Sequence, residues 1–460
     1  MPKKQIRLNA FNMNCVGHIN HGLWTHPRDR STEYTSLEYW TEQAKLLERG
    51  KFDGLFLADI VGVYDVYQGS ADLSVRESIQ LPVNDPLLLV SAMAAVTKHL
   101  GFGVTVNLTY EAPYLFARRM STLDHLTRGR IGWNIVTGYL DSAARAMGLS
   151  EQPEHDGRYE RAEEFMQVLY KLWEGSWEDD AVQRDRRRRI FADPAKVHRI
   201  HHRGEHYQVD GYHLSEPSPQ RTPVLYQAGA SDRGQQFAAA HAECVFISSQ
   251  KPEAARKLVN DLRDQAQLAG RQRDDLKIFM GISVIVAPTA AEAQEKYAEY
   301  CRYANPEAGL AHFAAGTGFD FSKYGIDEAI KPAASNAIQS SAKAVTAADA
   351  GWTVRKLLDQ LALGGRYVTI VGSPQQVADQ LEAWVRDADV DGFNLTRTVA
   401  PESFEDFVNL VIPELQARGS YKLDYEEGTL REKLFEAGQP TLPGRHPAAS
   451  YRQQGKGFTC

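Results

Sequence analysis

From its first residues to about residue 418 the chain alternates short apolar runs with segments of helical spacing, and few folds accept that pattern. Residues 5–12 alternate with period two, as a half-buried strand does. Gly54-Leu55-Phe56-Leu57-Ala58 is continuously apolar, the pattern of a strand buried on both faces, and it stops at Asp59. Further strands are expected at 101–107, 130–137, 223–228, 243–248, 278–286 and 391–396, with a shorter one at 367–371. Helices are expected between them at 36–50, 86–98, 114–127, 158–174, 233–241, 252–268, 289–303, 352–362, 374–387 and 403–418. Asp85-Pro86 is a good helix start, and Arg49-Gly50 a good helix end. Eight main strands alternating with helices predict an α/β fold, a (β/α)8 TIM barrel, rather than a doubly wound sheet. Two stretches interrupt the rhythm, about 176–221 and about 304–350; the second is rich in Ala, Gly and Ser and is expected to act as a lid. The chain 1–460 reads as a single barrel domain with a C-terminal tail of about 420–460.

Charge and cysteine usage remove several function classes. A formal net charge of −7 gives no general attraction to a phosphate backbone, so nucleic acid is not an expected partner. The four cysteines, Cys15, Cys244, Cys301 and Cys460, are far apart and form no zinc-binding spacing. Free thiols in a reducing compartment are the simpler reading. No apolar stretch follows Met1-Pro2-Lys3-Lys4 and no run reaches the roughly 18 apolar residues of a membrane span, so a cytoplasmic location is expected.

In a TIM barrel the chemistry sits at the C-terminal ends of the strands. After the first strand come Cys15 and His18, with His21 and His26 beyond; after the second come Asp59 and Tyr64. Asn107 ends the third strand, and Asn134 and Thr137 lie at the end of the fourth. The fifth ends in Gln227-Ala228-Gly229-Ala230-Ser231 and runs straight into a helix, so backbone N–H groups and the helix dipole could hold an anion there. A glycine turn before a helix is also an ordinary structural device, and a strand-end carboxylate such as Asp59 can simply cap a turn. Cys15 has no assignable base and no Gly-x-Ser-x-Gly elbow exists, so acyl transfer is not indicated. His198, His201, His202 and His206 crowd the first insertion, but arginines surround them and His206-Tyr207-Gln208-Val209 alternates like a hairpin. A solvated loop face is the simpler reading than a metal site there.

Several longer motifs stand at these same strand ends. They are Glu48-Arg49-Gly50-Lys51-Phe52-Asp53 leading to Asp59, Leu123-Asp124-His125-Leu126-Thr127 leading to Asn134 and Thr137, and Glu154-His155-Asp156-Gly157-Arg158-Tyr159. With Gln227–Ser231 and Asp391-Gly392-Phe393-Asn394 they make the chain resemble, over nearly its whole length, the bacterial luciferase-like superfamily. The resemblance is to the branch of nitrilotriacetate and dibenzothiophene-sulfone monooxygenases. Cys15-Val16-Gly17-His18 and Gly22-Leu23-Trp24 look like its alkane-oxidising members, Tyr303-Ala304-Asn305-Pro306-Glu307 like its dimethylsulfide-oxidising ones.

The resemblance implies the oxygenase of a two-component system. It would use reduced FMN and O₂, through a flavin C4a-hydroperoxide, to hydroxylate a small apolar substrate: a long-chain alkane first, an organosulfur compound as the alternative. Asp59, Asn107, Asn134, Thr137 and Gly138 would lie near the flavin ring and ribityl chain. His155, Tyr159, Ala230 and Ser231 would hold the phosphate. Cys15, His18, Tyr64, Gln80, Tyr139 and His312 would surround the reacting face. Two positions depart from the family pattern: Gly138 replaces a usual serine, and Tyr139 replaces the histidine of the alkane enzymes. No Gly-x-Gly-x-x-Gly fingerprint follows a strand, so a separate NAD(P)H-dependent flavin reductase would supply the reduced FMN. A homodimer or homotetramer is implied. Readings from other classes are a metal-dependent barrel hydrolase and a non-catalytic flavin-binding protein.

Overall fold

The computed structural model describes residues 4–229, 231–330, 336–338, 351–363, 365, 367–435 and 438–452. Nine parallel strands form its main sheet: β1 (Arg7–Met13), β2 (Gly54–Ala58), β3 (Gly101–Asn107), β4 (Ile131–Val136), β5 (Val224–Gln227), β6 (Cys244–Ile247), β7 (Lys277–Val286), β8 (Val368–Gly372) and β9 (Gly392–Thr396). Each of β1 to β6 pairs with the next, β6 pairs with β7, β7 with β9, and β9 closes onto β1 from Arg7↔Gly392 to Phe11↔Thr396. Eight strands therefore make a closed TIM barrel, as the alternating pattern predicts. The short ninth strand, β8, stays outside the ring and pairs with the upper half of β7, from Ile282↔Val368 to Val286↔Gly372.

Helices pack around the barrel through a core that includes Trp40, Phe116, Trp133, Phe165 and Trp173, all buried. The barrel interior is a separate, aromatic core of Phe11, Phe56, Tyr226 and Phe279 with Phe246 packed against them. Small residues make room for it. A side chain at Gly132 would place its Cβ 2.4 Å from the Tyr226 ring, a contact no real Cβ accepts. The floor is closed by Leu430 and Leu434 of helix Leu430–Phe435. Beneath it the Arg431 guanidinium makes a bidentate pair with Glu243, at 2.6 and 2.8 Å. Residues 420–435 and 438–452 thus pack against the bottom of the barrel; 436–437 and 453–460 of the expected tail lie outside the described residues.

The interruptions contain more order than the sequence pattern suggests. Within 176–221 are two hairpins, Val182–Asp185 with Ile190–Ala192 and Ile200–Arg203 with Gln208–Gly211. The second includes the alternating His206–Val209 segment, and its histidines pair with carboxylates: His202 with Glu164 and His201 with Asp210. In 304–350 a helix runs from Pro306 to Thr317. Its signals are local: Asn305 accepts from the Ala308 N–H, Pro306 supplies the first turn, and Gly318 ends it at φ 77°. Residues 331–335 and 339–350 of the expected lid lie outside the described residues. The single helix expected at 403–418 is instead Glu402–Asp406 and Ile412–Ala417 joined by a widened turn, because Pro413 has no N–H for the regular ladder.

Candidate active site

The mouth of the barrel, at the C-terminal strand ends, carries a cleft of about 370 Å³. Its floor is apolar, from Phe11 on β1, Ile135 on β4, and Val245, Phe246 and Ile247 on β6. Tyr367, just before β8, walls one side and leans over Gly281, where a Cβ would sit 2.3 Å from its ring. The polar end is built from His155, Arg158, Tyr159, Gly229 and Ser231. Ser231 caps helix Asp232–His241, accepting from the Gly234 N–H at 3.1 Å, and lies 3.2 Å from His155 Nε2. The Arg233 guanidinium lies over the Tyr159 ring. Arg158 is buried, its Nη atoms hold the carbonyls of Pro153 and Asn336, and its Nε has no hydrogen-bond partner among the described residues. Ala230, expected beside Ser231, lies outside the described residues.

Of the residues expected along the flavin ring, Thr137 and Gly138 line the cleft directly. Gly138 has φ 71°, and a Cβ there would meet the Asn107 amide nitrogen at 2.5 Å. The residue that departs from the family pattern is therefore matched to Asn107, which fills the space a side chain would take. Asn134 lies one layer deeper: its Nδ2 donates to Thr105 Oγ1 at 2.9 Å, while its buried Oδ1 has no partner among the described residues. Asp59, just past β2, does not line the cleft; burial pushes its carboxyl up to about 7, opposed by the Ile60 N–H and reinforced by Asp85.

Four of the residues expected around the reacting face, Tyr64, Gln80, Tyr139 and His312, form one connected cluster. Tyr64 donates to Gln80 Oε1 at 2.7 Å and approaches the Tyr139 hydroxyl at 3.4 Å. The Tyr64 ring stacks on His312, with centroids 4.9 Å apart. His312 Nδ1 in turn lies 2.9 Å from His21 Nε2. His18 stands apart from this cluster and meets Phe11, which lines the cleft, edge-on at 4.5 Å. Cys15 is buried, and burial pushes its thiol up to about 12, so it is no thiolate nucleophile. Burial, then the Arg397 charge, lowers His18 well below its ordinary range and His21 to about 3. Both imidazoles are therefore neutral at physiological pH.

A second, narrower pocket adjoins the cleft. Ile19, His21, Gly309, His312, Phe313, Gly316 and Leu361 line it, and Tyr139 and Ile338 line both spaces. Helix Pro306–Thr317 presents Gly309, His312, Phe313 and Gly316 along one face, the i, i+3, i+4, i+7 spacing of a helix stripe.

Sequence reasoning overlooked several of these groups. Arg158 stands inside a quoted motif but was not singled out as a site residue. Arg397, one residue past β9, donates to Asn12 Oδ1 and to the carbonyls of Cys15 and Val16, pinning the loop after β1. Reading the last strand's end as the others were read would have found it. Tyr367 carries no comparable signal, because only the folded chain brings β8 beside β7; His21 stands after the first strand, but only the fold pairs it with His312.

No described helix is long and apolar enough to cross a membrane. Residues 20–391 match the luciferase-like monooxygenase family. The chain is 53% identical over 451 residues to the long-chain alkane monooxygenase of Geobacillus thermodenitrificans (strain NG80-2), covering 98% of both proteins. It is 51% identical over 452 residues to the dimethyl-sulfide monooxygenase of Hyphomicrobium sulfonivorans, covering 98% of this chain and 94% of the relative. A solved riboflavin lyase, containing modified FMN and riboflavin, superposes with a TM-score of 0.92 at 39% identity, covering 98% of this chain and 100% of the other. The chain belongs to the luciferase-like monooxygenase family and is a flavin-dependent oxidoreductase.

Proposed function

We propose that this chain holds reduced FMN in the cleft and uses O₂ to oxygenate a small apolar substrate, an alkane in the first instance, in the adjoining pocket. The observation that carries the reading is that a largely apolar pocket adjoins the cleft, with Tyr139 and Ile338 lining both. The cleft suits FMN in kind. Its floor is apolar where a ring would lie, and its polar end offers a helix N-terminus, Ser231, His155, Tyr159 and the unpartnered Nε of Arg158 to a phosphate. Asn134 Oδ1 is a buried acceptor awaiting a donor beneath the ring's expected place. Bound reduced FMN would supply two electrons to O₂, one oxygen atom of which would go to the substrate and the other to water.

The chain's own contribution is placement and shielding. Phe11, Phe246 and Tyr367 keep water from the cleft floor. His18 and His312 would hydrogen-bond the reacting oxygen, His18 as a neutral imidazole, with Tyr64 and Gln80 fixing the stack that orients His312. Thr137 and Gly138 would hold the ring side, with Asn107 behind Gly138 and Asp59 acting from outside the cleft wall; Ala230 would serve the phosphate end, and Cys15 would pack the loop rather than react. A separate NAD(P)H-dependent flavin reductase would supply FMNH2, and the chain would work as a homodimer or homotetramer.

A second reading is oxygenation of an organosulfur compound such as a dialkyl sulfide. Tyr139 favours it: its hydroxyl belongs to the Tyr64–Gln80 cluster at the pocket wall, where it can donate to a polar atom. Sulfur is also oxidised far more readily than an unactivated C–H bond.

The test supplies the purified chain with FMN, NADH, a flavin reductase and ¹⁸O₂, and screens alkanes, dialkyl sulfides and sulfones by mass spectrometry. One ¹⁸O atom per product molecule is expected. Hydrogen peroxide as the sole oxygen product across the panel would overturn the reading. In the same preparation FMN should bind roughly 10- to 100-fold more tightly than riboflavin, from charge-assisted bonds to its phosphate. Equal affinity would remove the phosphate site.

A further inference from the structure

The pocket beside the cleft contains two glycines on one helix, and they do different things. A glycine inside a helix costs about 1 kcal/mol relative to alanine, so each one calls for a reason. At Gly309 the reason is packing. A Cβ there would lie 2.8 Å from the Leu361 carbonyl oxygen and 3.2 Å from the Leu361 Cβ, so the glycine lets helix Val354–Leu361 approach. At Gly316 no such neighbour stands among the described residues. Its φ is not positive, and among those residues a Cβ would meet only Ile338 Cδ1, at 3.6 Å, an ordinary contact. Its carbonyl accepts from the Ile338 N–H, a bond that a side chain would not disturb. Neither backbone conformation nor packing against the described residues asks for glycine at 316, and Gly316 lies on the pocket wall.

We propose that Gly316 is a specificity-determining residue: its bare Cα sets how much alkyl chain the pocket accepts at the wall formed by Phe313, Ile338 and Leu361. The substrate class is then an unbranched alkyl compound whose reacting end points toward Tyr139 and whose chain runs along the helix face from His312 to Gly316. This rests on the functional reading above only for the chemistry; the steric argument concerns the pocket alone.

Two variants separate pocket from packing. Gly316→Ala should raise the thermal denaturation midpoint, by roughly 1–2 °C, since it restores helix propensity without a clash. It should also shift the optimum of an alkyl methyl sulfide or n-alkane series toward shorter chains, lowering kcat/KM for the longest accepted member about tenfold or more while leaving FMN affinity unchanged. Gly309→Ala should instead lower the midpoint. A fall in midpoint for Gly316→Ala would show a packing role and overturn the proposal, as would an unshifted chain-length profile. If the wild-type chain oxygenates nothing, the functional reading fails. The gauge is then read from thermal shifts of the flavin-free protein with the same sulfide series, where the wild type should be stabilised by longer members than Gly316→Ala. Identical profiles in that assay would also overturn it.

Discussion

Asp59 shows how one carboxyl can be tuned by position alone. It lies just past β2, partly withdrawn from water, and burial, reinforced by the Asp85 charge, pushes its carboxyl up to about 7. The folded state therefore binds this proton more tightly than the unfolded chain, whose carboxyl ionises near 3.8. Folding pays nothing for Asp59 below about pH 4; the cost grows as pH rises to about 7 and is then constant. Asp59→Asn should accordingly stabilise the flavin-free protein by roughly 2–4 kcal/mol at pH 8, with the gain shrinking toward pH 4. Thermal denaturation of both forms across that range checks it; a gain independent of pH would mean the carboxyl is ionised throughout. The position of Asp59 was readable from the strand pattern, but its protonation was not, because burial depends on segments distant in sequence. Gly138 is similar: a departure from the family pattern is visible in the sequence, and its match to the Asn107 amide only in the fold.

Among elements, helix Pro306–Thr317 links site and scaffold most directly. The Asn305 N–H donates to the His21 carbonyl, His21 Nε2 meets His312 Nδ1, and Gly309 seats the helix against Leu361. The loop after β1 and this helix thus grip each other at both backbone and side chain. Amide exchange within Pro306–Thr317 should slow on binding FMN and substrate, as a covering element closing on its ligand does. His21→Leu should speed that exchange in the free protein. Unchanged protection in both experiments would sink the idea that this helix covers the mouth. The barrel strands were legible because burial on both faces leaves unbroken apolar runs; this helix was not, because it is apolar and small on nearly every side and so lacks a periodic stripe. Its cap, Asn305-Pro306 with Gly318, was the available clue.

At the scale of the whole molecule, the segment after β9 seals the base of the barrel. Arg431 and Glu243 are buried together, and Arg431 also donates to the carbonyls of Thr222 and Pro440. Arg431→Met should destabilise the protein by roughly 3–5 kcal/mol, because Glu243 would stay buried without its counter-charge. Adding Glu243→Gln should recover part of that loss. A denaturant midpoint that is unmoved by the single change would show the pair to be dispensable. The sequence did indicate one barrel and eight principal strands, but 420–460 read only as a tail, since a bidentate pair between residues 188 positions apart leaves no local trace.

The pairing of β1 with β9 also imposes a schedule on biosynthesis. Arg7 finds its neighbour Gly392 only after 385 further residues have been added. At translation rates of about 5–20 residues per second, the first strand waits roughly 20–80 s with the N–H and C=O groups of one edge unpaired. For that interval the nascent chain is an open, curling sheet whose exposed flank can recruit another strand, so slowing synthesis or crowding ribosomes on one message should raise aggregation even though the finished ring has no such flank between these strands.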